Sequence, residues 1–291
     1  MYFIKVVFYI DFIYQAIGGF FGYILDWLLS VFHNYGLSII VFALITKIIV
    51  IPFVVSEVRS SRKSKMLQAK QEEIRAKYKD SPDKDKLNEE LTKMYIENKY
   101  NPVAGCLMQI LMFFVLVGIF FAVSEPITST LHIPKEKVII ASEAIDSERQ
   151  YKELAILEDV ANGKDYSSYF SEEEFKKIKD FSSTFDFFGL NLFSVPVKSG
   201  FPTMFLSIAC FLIPFLNMNI SSILTNLKKK KQEPDTKLLN FKTLIMSIIA
   251  PALTFSFSLV VPCAIVLYWV SSSLLAVIQN VIIKKISPPT V

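Results

Sequence analysis

Apolar residues run along this chain in long unbroken blocks, at residues 37–56, 104–124, 201–220, 241–260 and 262–283. Each block is near the roughly 20 residues that a helix needs to cross a bilayer. No strand-like alternation appears, so the blocks read as helices, and a helical bundle is the spanning structure they allow. The predicted fold is an all-α integral membrane protein. It comprises a five-span helical bundle, a cytoplasmic αα-hairpin and an N-terminal interfacial helix.

Residues 1–36 carry a different pattern. Asp11, Gln15, Gly18, Gly19, Gly22, Asp26, Ser30 and His33 recur every three or four positions. The opposite face holds Phe12, Ile13, Ile17, Phe20, Phe21, Ile24, Leu28 and Val31. This amphipathic period suits a helix lying in the membrane interface. A sixth span or an uncleaved signal anchor is the alternative, weakened by the cost of Asp11 and Asp26 in lipid.

The polar stretches between the blocks set the organisation. Residues 57–103 predict two helices, about 57–79 and a second carrying Leu87, Leu91, Met94 and Tyr95. Asp80-Ser81-Pro82-Asp83 joins them, with Ser81 as cap and Pro82 at the first helical position. A short turn between two helices makes an antiparallel hairpin. Residues 125–200 form an acidic insert, with helices expected over 146–161 and 171–181, the second capped by Ser171. Residues 221–242 are basic and contain Lys228, Lys229, Lys230 and Lys231, and the tail 284–291 opens on two lysines. Five spans put 57–103, 221–242 and the tail on one side, and 1–36 with the insert on the other. The positive-inside rule makes the basic side cytoplasmic.

Charge and chemistry sharpen the picture at one point. The chain is 52% apolar with a net charge of +4, yet Lys47 lies in the middle of the first block. A cation at bilayer depth costs about 2.5–3.5 kcal/mol on insertion scales, so such a residue normally faces a wet cavity or a partner. Thr46, Gln109, Tyr268, Trp269, Ser272 and Gln279 are further polar or amphipathic groups within spans. Interhelical hydrogen bonding is one reading of them; a wet groove shared with Lys47 is the other. Arg59, Arg62, Lys63 and Lys228–Lys231 are candidate cytoplasmic partner contacts. The lysine run reads either as a loop held near anionic lipid or as an RNA-facing patch. Three cysteines within spans and two distant histidines lack metal-ligand spacing. No phosphate loop, nucleotide fingerprint or nucleophile–base set is visible, so neither an enzyme nor a cofactor is expected.

Four stretches, in order, resemble the YidC/Oxa1/Alb3 membrane protein insertases. They are Asn34–Ile40 with Thr46, Lys47 and Pro52; Met66–Lys70; Met94-Tyr95 with Asn101–Leu107; and Pro262–Trp269 with Gln279-Asn280. Phe188–Leu192 is similar to the segment before the third span in Gram-positive members. The resemblance implies a groove open to cytoplasm and lipid, where a cation on the first conserved span attracts acidic parts of a nascent membrane protein. That cation is usually Arg and is Lys47 here. Met108 and Cys263-Ala264 also depart from the family pattern. The implied location is a bacterial cell membrane. Implied partners are nascent membrane proteins, lipid, the ribosome, the signal-recognition receptor and the Sec translocon, with no DNA. A small-solute transporter and a non-translocating assembly factor are the alternatives.

Overall fold

A computed structural model describes residues 2–79, 84–145, 148–230 and 241–286. The predicted 80–83 turn, Asp146 and Lys231 lie outside them. The described chain is helical almost throughout. The long helices are α1 (Tyr2–Phe32), α2 (Tyr35–Lys77), α3 (Lys84–Glu97), α4 (Pro102–Ser124), α10 (Phe201–Lys230), α11 (Phe241–Ser258) and α12 (Cys263–Ile286). The insert adds α5 (Pro126–Ser129), α6 (Lys135–Ser142), α7 (Lys152–Ala161), α8 (Glu172–Ser182) and α9 (Pro196–Ser199). Every apolar block falls in a helix. Three segments are long and apolar enough to cross a membrane among the described residues: Tyr35–Lys77, Phe201–Ile220 and Cys263–Asn280. Ile110–Ser124 and Ser247–Ser258 are shorter apolar helices.

Several expectations are refined. The first block and the first hairpin helix form one helix, α2, because neither Gly nor a turn sequence separates them and Pro52 is accommodated within it. The helix expected over 146–161 starts only at Lys152, after a loop. Ser171 caps α8 through a reciprocal capping box with Glu174, as the residue spacing implied. A small antiparallel pair, β1 (Asp186–Phe187) with β2 (Leu190–Asn191), is present where no strand was expected. Two residues per strand are too few for a sequence period to register.

The chain divides into two compact units, residues 1–47 with 117–278 and residues 48–116 with 279–291. In the first, the segment from Phe185 to Val197 ties helix ends together. Asn34 accepts the Leu37 N–H at 3.1 Å through Oδ1, capping α2, and its amide donates to the Asp186 carbonyl at 2.7 Å. The orphan N–H groups of α12 are met in the same way. Cys263 N–H donates to Ser194 O at 2.8 Å and Ala264 N–H to Leu192 O at 3.0 Å. Val197 N–H donates to Leu259 O at 3.1 Å, and α10 begins four residues later. Beneath the segment, Tyr35 stacks on Phe185 at 4.5 Å and Phe185 on Phe193 at 4.2 Å, with Phe181 edge-on to both Tyr35 and Phe185. The rings of Tyr35 and Phe185 are fully buried.

The faces of α1 are not divided as the sequence suggested. Phe21, Leu25 and Leu28 are buried together with Gly18 and Gly22, whereas Phe20, Tyr23, Trp27 and Val31 are exposed. The glycines therefore belong to the packing face and not to a polar stripe. A Cβ on Gly22 would lie 1.9 Å from the Ser129 carbonyl oxygen, and one on Gly18 would lie 2.4 Å from the Phe121 ring. Smallness at these positions lets the α1 backbone approach α4 and α5. The aromatic outward face is what lipid contact favours. The side chains of residues 1–15, Asp11 among them, lie outside those described.

Several acids of the insert are paired within it. Lys137 hydrogen-bonds Glu174 at 2.7 Å and holds its carboxyl down at about 2. Arg149 bridges Glu158 and Asp159. Glu153 is different: it is buried on α7, and it accepts the Thr128 N–H at 2.9 Å and the Thr128 hydroxyl. Burial pushes its carboxyl up to about 7; the Thr128 hydrogen bonds oppose this and Glu125 adds to it. Tyr35 and Thr130 are buried nearby.

Two predictions follow from this packing. The Glu153 carboxyl keeps its proton to about 7 when folded, against an ordinary 4.5. The native state thus binds more protons between those values, and stability falls by about 3 kcal/mol as pH rises through that window, then levels off. Glu153→Gln should flatten this dependence and be more stable than the parent at pH 8 but not at pH 4, as read by thermal unfolding in detergent. In the same assay Gly22→Ala should destabilise by about 1–3 kcal/mol through overpacking. Gly19→Ala has open space within 4 Å, and should be neutral or stabilising by up to about 1 kcal/mol.

Candidate functional site

In the first unit, α2 and α12 bring three of the candidate residues into contact. Tyr268 is buried, and its hydroxyl lies within hydrogen-bonding reach of Thr46 and Ser272. Thr46 is also buried, and its own proton goes to the Ala43 carbonyl at 2.9 Å. Ser272 lies one helical turn from Tyr268 and is half-buried. Phe42, one turn before Thr46, packs on the Tyr268 ring at 6.0 Å. Phe42 was absent from the sequence-based candidates, although its i, i+4 relation to Thr46 was legible. Trp269 is half-buried. Burial of Tyr268 rules out a role as an interfacial anchor.

Lys47 follows Thr46 on α2 and is half-buried in this apolar helix. Among the described residues its ammonium has neither an ion pair nor a hydrogen-bond partner. An ammonium withdrawn from bulk water is costly unless something polar reaches it. The arrangement is thus a small hydroxyl cluster followed along α2 by a cation that has no anion among the described residues.

Gln109 and Gln279 belong to the second unit. Gln279 is buried and its Nε2 has no acceptor among the described residues; the Gln109 side chain lies outside those described. Of the cytoplasmic candidates, Arg59 is exposed. Lys63 instead donates to the Lys99 carbonyl at 2.9 Å, just beyond the end of α3. It therefore fastens the two arms of the hairpin, alongside the 2.8 Å Lys77–Glu90 pair. Arg62 also has an interaction partner. The side chains of Lys228, Lys229 and Lys230 lie outside those described.

The two histidines, 99 positions apart, line one cavity of about 560 Å3 in the first unit, with Asp26, Lys177 and Asp180. Tyr23 stacks on His132 at 3.9 Å. No sequence spacing signals this meeting. Among the described residues no group of His, Cys, Asp and Glu is arranged to hold a metal.

A polytopic helical membrane protein with a lysine on its first apolar helix is the class these features define. The family model described as "60Kd inner membrane protein" matches residues 27–289. The chain belongs to this family. Curated relatives carry the name membrane protein insertase YidC. The Syntrophobacter fumaroxidans protein is 33% identical over 118 residues, which are 40% of this chain and 20% of that protein. The Caldanaerobacter subterraneus protein is 36% identical over 99 residues, 34% of this chain and 47% of that protein. In Listeria innocua the relative named YidC 2 is 31% identical over 107 residues, 36% of this chain and 37% of that protein. The matched regions span less than half the length of each of these relatives.

The hydroxyl cluster makes a graded prediction. Tyr268→Phe keeps the ring contact with Phe42 and should cost about 1 kcal/mol. Tyr268→Ala also opens a cavity and should cost about 3–5 kcal/mol. Thermal unfolding in detergent measures both.

Proposed function

We propose that this chain is a membrane protein insertase of a bacterial cell membrane. It would accept nascent membrane proteins, move their short polar tails across the bilayer and release their apolar segments into lipid. The relatives' names support this reading, and one structural observation carries it: Lys47, half-buried on an apolar helix, has no anion from the described chain beside the Thr46–Tyr268–Ser272 cluster.

The topology behind the proposal has five spans, at 37–56, 104–124, 201–220, 241–260 and 262–283. The N-termini of α2, α10 and α12 are gathered by one segment. This gathering supports a reading in which the first, third and fifth spans run parallel and α4 and α11 each cross once between them. The lysine-rich 57–103 and 221–242 segments and the C-terminus then share the cytoplasmic side. The insert lies outside, and α1 lies along the interface with its aromatic face in lipid.

In this mechanism Lys47, Thr46, Tyr268, Trp269 and Ser272 line a hydrated groove. Water and acidic residues of the arriving tail supply the polar contacts that Lys47 needs. The dry path for the tail is shortened, which is the costly part of its transfer. The apolar segment then partitions into lipid, gaining about 0.3–0.6 kcal/mol per Leu, Ile, Phe or Val at the helix centre. No covalent step and no nucleotide are called for. Arg59, the hairpin and the Lys228–Lys231 run would meet the ribosome, the signal-recognition receptor or the Sec translocon.

A depletion strain complemented with variants tests the reading. Lys47→Arg should retain insertion of acidic-tailed substrates. Lys47→Ala should slow it about tenfold or more, the scale of a lost charge-assisted contact, as scored by protease protection of the tail. Equal insertion by Lys47→Ala and the parent removes Lys47 from the mechanism.

A further inference from the structure

The hairpin between β1 and β2 displays an aromatic ring at a cost. Phe188 and Gly189 are its two turn residues, and both have left-handed backbone, with φ of 53° and 83°. That is the two-residue turn in which Asn, Asp and Gly predominate at the first position. A bulky aromatic with positive φ is uncommon and strained. Packing offsets little of the strain, since Phe188 is 85% exposed.

The tip is nevertheless held firmly. Asp186 Oδ1 accepts the Gly189 N–H at 2.9 Å, and Leu192 N–H donates to Phe185 O at 3.0 Å. Phe187 packs against Phe188 edge-on at 4.9 Å. A Cβ on Gly36 would lie 2.4 Å from the Phe187 ring, so the hairpin sits directly on the first turn of α2. The Asn34 amide on the Asp186 carbonyl fastens it there.

Its position relative to the spans identifies what covers it. The hairpin lies where the apolar run of α2 starts, and Phe201, the first residue of α10, is 80% exposed. The ends of membrane-crossing helices mark the headgroup level, the depth at which aromatic side chains collect. A ring projected from a rigid turn at that depth meets the boundary between headgroups and acyl chains.

We propose that the Phe187–Leu190 hairpin is a lipid anchor, with Phe188 immersed in the leaflet at the N-terminal ends of α2 and α10. It fixes the depth of the segment that gathers α2, α10 and α12. This contact is separate from the groove chemistry and does not rest on Lys47.

The test places an indole at the tip. Phe188→Trp is introduced into a chain carrying Trp27→Phe and Trp269→Phe, which removes both native tryptophans. The protein is reconstituted in phosphatidylethanolamine–phosphatidylglycerol vesicles containing lipid brominated on its acyl chains. The expected result is blue-shifted emission, quenched at least twofold by the bromolipid and little affected by acrylamide. Water-like emission, quenched by acrylamide and not by bromolipid, overturns the proposal. So does a blue shift that grows with protein-to-lipid ratio without bromolipid quenching, which would place a second copy at the tip. A second measurement uses Phe188→Asn in the native background, a residue suited to the left-handed turn. It should unfold in detergent at the parent's temperature or above. In vesicles its amides from 186 to 191 should exchange at least tenfold faster than the parent's, and equal exchange overturns the proposal.

Discussion

The backbone segment from Phe185 to Val197 is the constraint on which the first unit depends. Helix N-termini present N–H groups with no intrahelical acceptor, and burying them unpaired is costly. Here the Leu192 and Ser194 carbonyls meet the first N–H groups of α12, and Asn34 joins the cap of α2 to Asp186. The same residues that cap one span thus position another. The Tyr35, Phe181, Phe185 and Phe193 rings fill the space beneath. Three apolar helices that could otherwise slide against one another in lipid are therefore held in register at one end.

Apolar packing alone would make an inert bundle. The chain departs from it at buried places of different chemistry, two of which are instructive together. Within the apolar helices, Thr46, Tyr268 and Ser272 form a hydroxyl cluster next to a lysine with no anion among the described residues. In the insert, Glu153 is surrounded by groups that satisfy it, and its two oxygens are taken by Thr128. The carboxyl belongs to the architecture, because its partners come from the chain. The ammonium has no anion among the described residues, and the proposed mechanism supplies one from the arriving substrate. This contrast, and not the mere presence of buried polar atoms, singles out Lys47.

Much of the fold was legible in the sequence. The apolar blocks fall in helices because length and hydropathy are local properties. Ser171 caps α8 because the capping box spans only four residues. The break between span and hairpin was not legible: with neither Gly nor a turn to stop it, α2 runs on to Lys77. The face of α1 was misjudged because glycine counts as polar in a periodic pattern but serves as a close-contact residue beside Ser129 and Phe121. Lys63 reads as a free surface cation until Lys99 is seen to accept its proton.

By itself the sequence determined the class: apolar blocks too long for a soluble core, alternating basic and acidic stretches between them, and a lysine where lipid should be. Its ordered motifs pointed to the family that residues 27–289 match. Only the tertiary structure decided which polar groups meet. Thr46 and Tyr268 are 222 positions apart, and His33 and His132 are 99, so no local period couples them. Contact across such separations depends on how helices pack side by side, a property of the assembled bundle that no single helix encodes.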